Sequence, residues 1–278
     1  MGSVLKAQTP EPSLYGLVNS KTVVNESDRW IAGFEQESIS CMADVRLIDA
    51  CNTGIEEVVI EKTGTGSLGE YTPFNVQAEV GCSTMGKQEE WVAYATEALE
   101  ICQNKAVVLE FWEGRLARTA GNENRYLADG NAVDVTPTPG TPVRARYGLA
   151  LLEGQLAATG CGGRGYVHTP VSIASVLPVK DRGDDILTTT LGNYVIAGDG
   201  YTGTGTDGEA TTGSSVWLYA TGPVFVRLDD IEVAADQARQ YVNTETNEII
   251  VKAERAAAVV WDGCAHFKVL VDLSLDYA

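Results

Sequence analysis

The stretch from Lys87 to about Ala117 constrains the fold most. Trp91, Tyr94, Ala95, Ala98, Leu99, Ile101, Cys102, Val108, Leu109 and Trp112 recur there at helical spacing, with Glu89, Glu90, Glu97, Glu100, Lys105 and Glu113 mainly off the stripe. The spacing predicts one long amphipathic helix. At about 1.5 Å per residue, roughly 30 residues span on the order of 45 Å, about the full diameter of a compact globule of this length. A protomer built on such a rod is expected to be flat or elongated.

The segments before the helix carry little apolar surface of their own. Residues 1–30 hold Pro10, Pro12 and isolated apolar residues such as Leu5, Leu14, Tyr15 and Leu17, without periodicity. This reads as an extended arm lying across another surface. Short apolar runs from Trp30 to Cys51 suggest a brief helix and a strand. Ile55–Lys62 and about Glu70–Cys82 are β-prone runs joined by the Gly-rich Thr63–Gly69, which predicts a long hairpin. With only Val58, Ile60, Phe74, Val76 and Val80 as apolar content, the hairpin needs a neighbour.

After the helix the chain alternates elements. Thr136–Pro142 reads as a turn with Thr141 as N-cap, opening a helix from Val143 to Thr159. Gly165–His168 reads as a strand, and Thr169-Pro170 repeats the cap-and-proline signal for a short helix to about Leu177. Gly198–Ser214 is nearly all Gly, Thr and Asp, a long polar loop of the kind that usually serves function or interaction. The late β runs are Ser215–Tyr219, Val224–Leu228, Ile249–Ala253, Ala257–Trp261 and Ala265–Leu273, the last three read as a small antiparallel sheet. The class is α+β.

Composition narrows the function. Among 278 residues, 20 Lys and Arg face 38 Asp and Glu, a formal charge of −18, while apolar residues make up 44%. That apolar share supports a sizeable core, and the charge opposes tight binding to phosphate backbones or anionic lipid. No apolar stretch approaches the roughly 18 residues that cross a bilayer, and no signal-peptide pattern opens the chain, so an intracellular protein is expected. Cys41, Cys51, Cys82, Cys102, Cys161 and Cys264 are spread singly without a CxxC, and are read as reduced, mostly buried residues.

Chemical motifs are weak. Gly198, Gly200 and Gly203 spell GxGxxG after a strand, but no helix pattern follows and the loop stays Gly-rich to Gly213. Gly203–Gly208 resembles half of one calcium-binding nonapeptide repeat, which binds only in stacked copies. His168 and His266 are the only histidines and neither has a ligand-spaced partner; His266 reads as a structural strand residue and His168 as a turn residue. Nucleophile, metalloprotease and nucleotide motifs are lacking. The sequence therefore assigns no catalytic, metal-binding or cofactor-binding residue and no cofactor. What it shows is an arm and a hairpin that both need neighbours, one long helix and low-complexity loops, the features of an assembly subunit.

The order of these parts resembles the major capsid proteins of tailed bacteriophages, the Hong Kong 97-type fold. GRGYVHTPVSIASVL, LGNYVIAGDGY with GPVFVRLDDIEV, and the closing NEIIVKAERAAAVVWDGCAHFKVLVDL carry the likeness. The resemblance implies an N-arm over 1–30, an E-loop over 55–82, a P-domain over 31–54, 83–125 and 230–278 with the spine helix, and an A-domain over 126–229. It further implies a structural virion protein whose pentamers and hexamers tile an icosahedral head around double-stranded DNA, assembled in the host cytoplasm. Its partners would be copies of itself, a separate scaffolding protein, a portal and a decoration protein, with DNA touched only weakly and no membrane. Leu14, Tyr15, Leu17, Lys62, Tyr71 and Phe74 are the expected intersubunit contacts, because their flanking sequence offers no local core. Arg115, Arg118, Arg125, Arg144 and Arg146 are left for intersubunit pairs. Some relatives join a Lys to an Asn covalently; Lys62, Asn243 and Asn247 supply the residue types, and their spacing proves nothing. An encapsulin-like nanocompartment shell, a phage decoration or tail-tube protein and, third, a soluble enzyme are the alternatives.

Overall fold

The computed structural model describes residues 14–19, 21–24, 30, 33–38, 66–83, 88–122, 124–159, 164–183, 185–233, 242–243, 248–261 and 263–276. The apolar stripe forms helix α1 (Gln88–Glu113), 26 residues, or about 39 Å at 1.5 Å per residue. It ends before Ala117 because Gly114 takes the left-handed conformation, φ 56° and ψ 46°, after which α2 (Arg115–Ala120) begins. A Cβ at 114 would lie 2.2 Å from the Tyr126 ring, so glycine answers both the backbone and the space. The buried Glu110 carboxylate bridges the break. It accepts hydrogen bonds from the N–H groups of Leu116 (2.7 Å) and Ala117 (3.1 Å), satisfying donors that the new helix would otherwise leave open.

The strands in chain order are β1 (Phe34–Ser38), β2 (Gly66–Tyr71), β3 (Phe74–Ser83), β4 (Val133–Asp134) and β5 (Tyr166–Thr169). They continue with β6 (Val179–Asp181), β7 (Leu187–Thr189), β8 (Tyr194–Ala197), β9 (Ser215–Thr221) and β10 (Val224–Leu228). The last are β11 (Glu232–Val233), β12 (Val242–Asn243), β13 (Glu248–Trp261) and β14 (His266–Asp272). Among the described residues they make a β1-β2 pair, a five-stranded sheet in which β3, β10, β11 and β12 all pair with β13, and a seven-stranded sheet ordered β4-β14-β9-β5-β8-β7-β6.

Two strand expectations are corrected. The run Glu70–Cys82 is not one hairpin strand: it breaks at Thr72-Pro73, where proline has no N–H to give a ladder. The part before the break pairs antiparallel with β1, Phe34 opposite Tyr71, and the part after it pairs antiparallel with β13 from Phe74 opposite Ala257 to Ser83 opposite Glu248. Ile55–Lys62 lies outside the described residues. The late runs do not form a three-stranded sheet either. The first two are one continuous 14-residue strand, β13, while β14 leaves for the seven-stranded sheet and pairs with β9 and β4. Residues 266–272 thus pair with strands of the 126–229 segment, and 224–228, within that segment, pair with β13.

Gly222-Pro223 carry the chain between the sheets, and β13 and β14 likewise lie in different sheets; the Gly222 N–H reaches the Ala265 carbonyl at 3.3 Å. Helix α1 packs over β3 and β13, burying Ala95, Leu99, Val107, Val108, Phe111 and Trp112 in the first core. Helix α3 (Ala145–Thr159) packs on β14 and β9 through Leu149, Leu152 and Leu156, which form a second core with Leu218, Val269 and Val271. Its N-terminus is satisfied by Asp276, whose Oδ2 accepts from the Ala145 N–H at 2.8 Å, rather than by Thr141. Helix α4 (Val171–Ala174) likewise starts without a side-chain cap, since Thr169 donates to the Pro170 carbonyl at 3.2 Å.

Candidate functional site

With no catalytic group called for by the sequence, the surfaces that a neighbour could meet are the candidate site, and the arm comes first. Residues 14–19 and 21–24 lie across the protomer's own two sheets. The Ala197 N–H at the end of β8 donates to the Tyr15 carbonyl (2.9 Å), and the Val18 N–H donates to Asn104 Oδ1 on α1 (3.0 Å). Val23 then bridges Val226 in parallel, with Val24 N–H to Val226 O at 3.0 Å and Val226 N–H to Thr22 O at 2.7 Å. Gly16 lets the strap touch α1, for a Cβ there would lie 2.5 Å from Asn104 Nδ2. The arm does need a surface, and this part of it finds one inside its own chain.

That placement revises the expected contacts. Leu17 is fully buried in the first core, Phe74 is buried there too, and Tyr71 is buried with its hydroxyl donating to the Trp261 carbonyl at 3.1 Å. These three side chains are covered almost wholly by their own protomer. The reason is tertiary: residues distant in sequence supply the core that their flanks lack. Leu14 is 52% exposed, and the half-buried Tyr15 donates from its hydroxyl to Asp181 Oδ2 at 3.0 Å. Lys62 and Asn247 lie outside the described residues, and Asn243 sits in β12 opposite Glu248. Leu17→Ala is expected to cost roughly 3 kcal/mol of subunit stability, read as a lower urea midpoint at unchanged slope; an unshifted midpoint would show that the strap is not part of the core. For the same reason, removing residues 1–30 is expected to destabilise the subunit itself, not only to block assembly.

Several arginines left for neighbours are engaged within the chain. Arg115 pairs with Glu113 at 2.9 Å, Arg118 donates to the Asp207 carbonyl, and Arg146 Nε reaches the Val176 carbonyl at 3.5 Å.

The Gly-rich loop is pinned down rather than loose. Trp112 Nε1 donates to Thr204 Oγ1 (3.1 Å) and Thr204 O (3.3 Å), the Asp207 N–H donates to Ala128 O (2.8 Å), and the Tyr126 hydroxyl donates to Asp207 Oδ1 (2.7 Å). Lys268 Nζ adds a bond to Thr206 Oγ1 at 3.0 Å. Burial and the Asp207 contact push the Tyr126 phenol up to about 12.

Beside the loop, His168 is a fully buried strand residue, not a turn residue. Its Nε2 lies 2.9 Å from Thr221 Oγ1 and its Nδ1 lies 3.3 Å from the Tyr201 hydroxyl. Thr221 donates its own proton to the Gly222 carbonyl, so it accepts from Nε2, Tyr201 donates to Nδ1, and the ring is neutral. His266 is structural as expected, buried with Nε2 2.8 Å from Leu127 O and Nδ1 3.7 Å from Asp129. The cysteine reading is corrected at two positions: Cys264 is disulfide-bonded, and Cys102 is a free, exposed thiol.

No family model and no curated protein matches the sequence. Solved structures do match the fold. A chain from the capsid of Myoviridae phage XM1 is 12% identical, with a TM-score of 0.54 over 97% of this chain and 96% of that one. A chain from the capsid of Ralstonia phage GP4 is 8% identical, with a TM-score of 0.53 over 98% and 94%. A chain of Microbacterium phage Oxtober96 is 9% identical, with a TM-score of 0.56 over 98% and 95%. The chain has the Hong Kong 97-type capsid fold. The α+β class read from the sequence holds. No helix among the described residues is long and apolar enough to cross a membrane.

Proposed function

We propose that the chain is the major capsid subunit of a tailed phage, a structural protein that assembles into pentamers and hexamers of an icosahedral head enclosing double-stranded DNA. The observation that carries the reading is the fold match to the XM1 capsid chain, which runs over 97% of this chain and 96% of that one. The formal charge of −18 suits a wall that does not grip packaged DNA. A separate scaffolding protein, a portal and a decoration protein are the partners proposed with it, assembly takes place in the host cytoplasm, and the exposed Leu14 and the Tyr15 beside it are proposed contacts at the subunit boundary.

Expression of the full chain with and without its scaffolding partner, followed by negative-stain electron microscopy, tests this directly. Closed hollow shells with capsomer texture are the expected result. A monodisperse monomer under both conditions would sink the reading.

A further inference from the structure

Lys21 in the arm, Arg164 just before β5 and Arg182 in the β6–β7 turn line one open cavity of about 240 Å³, together with Thr188 and Tyr194. Three cations converge there in a chain whose formal charge is −18. None of them makes an ion pair with a carboxylate among the described residues. Hydroxyls hold the two guanidiniums instead. Arg182 Nε donates to Thr188 Oγ1 at 3.1 Å, and Arg164 Nη1 donates to the Tyr194 hydroxyl at 3.2 Å, its guanidinium carbon 5.6 Å from the Tyr194 ring centre. Neutral acceptors orient both forks without neutralising them. Asp181, on the same hairpin, is engaged elsewhere, accepting from the Gly183 N–H at 2.7 Å and from the Tyr15 hydroxyl at 3.0 Å.

We propose that this cavity receives a carboxylate-bearing segment of a second copy of the chain. The proposal deepens the shell-subunit reading and rests on it. Two subunits of charge −18 repel, so a contact between copies gains most where cations lie unpaired. Two other described cations already pair with carboxylates in the protomer, Arg115 with Glu113 at 2.9 Å and Lys252 with Glu79 at 2.6 Å. The cavity also lies at the rim, since β6 is the edge strand of the seven-stranded sheet, where a neighbouring copy can reach it. Inorganic phosphate offers the same oxyanion chemistry, so the experiment separates the two sources.

The test compares the full wild-type chain with an Arg164→Ala/Arg182→Ala variant by sedimentation and light scattering at low and high ionic strength, with and without inorganic phosphate. The variant is expected to keep its circular dichroism spectrum and to need about tenfold more protein to self-associate, a loss of about 1.4 kcal/mol. Wild-type association is expected to weaken with salt and with phosphate, and the variant's to respond less to both. Should the double variant misfold, Lys21→Ala, which disturbs neither hydroxyl contact, is expected to weaken association in the same direction. A variant that assembles at wild-type concentrations overturns the proposal and leaves the shell reading standing. Phosphate that binds the wild type without affecting association overturns it in favour of a free-anion site. A wild type that never self-associates, even with its scaffolding partner present, overturns both readings.

Discussion

Replacing Trp112 with alanine is expected to lower the unfolding free energy of the subunit by roughly 4 kcal/mol, the cost typical of removing a large buried aromatic side chain. Trp112 is fully buried at the C-terminal end of α1, where that helix, the pinned loop and β9 meet. Its ring stands edge-on to Tyr201 at 5.2 Å and to Tyr219 at 4.9 Å, and its N–H bonds Thr204 in the loop. Alanine removes the packing and the bond together. Trp112→Phe keeps most of the volume and loses the bond, so it is expected to cost roughly 1–2 kcal/mol. Urea unfolding reads both values, and limited proteolysis within 198–213 reads the freed loop. A wild-type midpoint and an uncut loop in Trp112→Ala would refute the placement of this side chain at the junction.

Acid is the second strong perturbation. Burial drives the His168 imidazole down from 6.5 to about 3, with His266 adding a smaller repulsion in the same direction. The groups facing the ring are Tyr201, Thr221, Tyr166 and Phe111, and none of them carries a negative charge at neutral pH. Above pH 6.5 the imidazole is neutral folded and unfolded, and it contributes nothing to the pH dependence. As pH falls from about 6.5 towards 3 the unfolded chain takes up a proton that the folded one refuses, and stability is lost across that window. At about 1.4 kcal/mol for each tenfold difference in proton affinity, the full loss is on the order of 5 kcal/mol. His168→Gln, which keeps a side-chain donor and acceptor but does not titrate there, is expected to lose less stability between pH 6.5 and 4 than the wild type. Equal acid sensitivity in the two would place the proton uptake elsewhere.

The sequence by itself determined the elements whose signal is local. The apolar period of α1, the helix at 145–159 and the β character of the late runs were all legible, because helical or strand spacing reports which face of an element must be buried. The order of parts carried the fold class as well. Pairing was not legible. A β-prone run states that it will be covered and not by what, so the partners of β2 and β3 and the parting of β13 from β14 emerged only in the folded chain. The same limit explains Leu17, Tyr71 and Phe74, which lacked a local core and found one more than 50 residues away in sequence: Tyr71, for example, bonds Trp261. His168 carried no spacing signal, and the meeting of Lys21, Arg164 and Arg182 joins positions scattered along the chain. Local physics chose the pieces, and burial and hydrogen bonding across long sequence separations chose their neighbours.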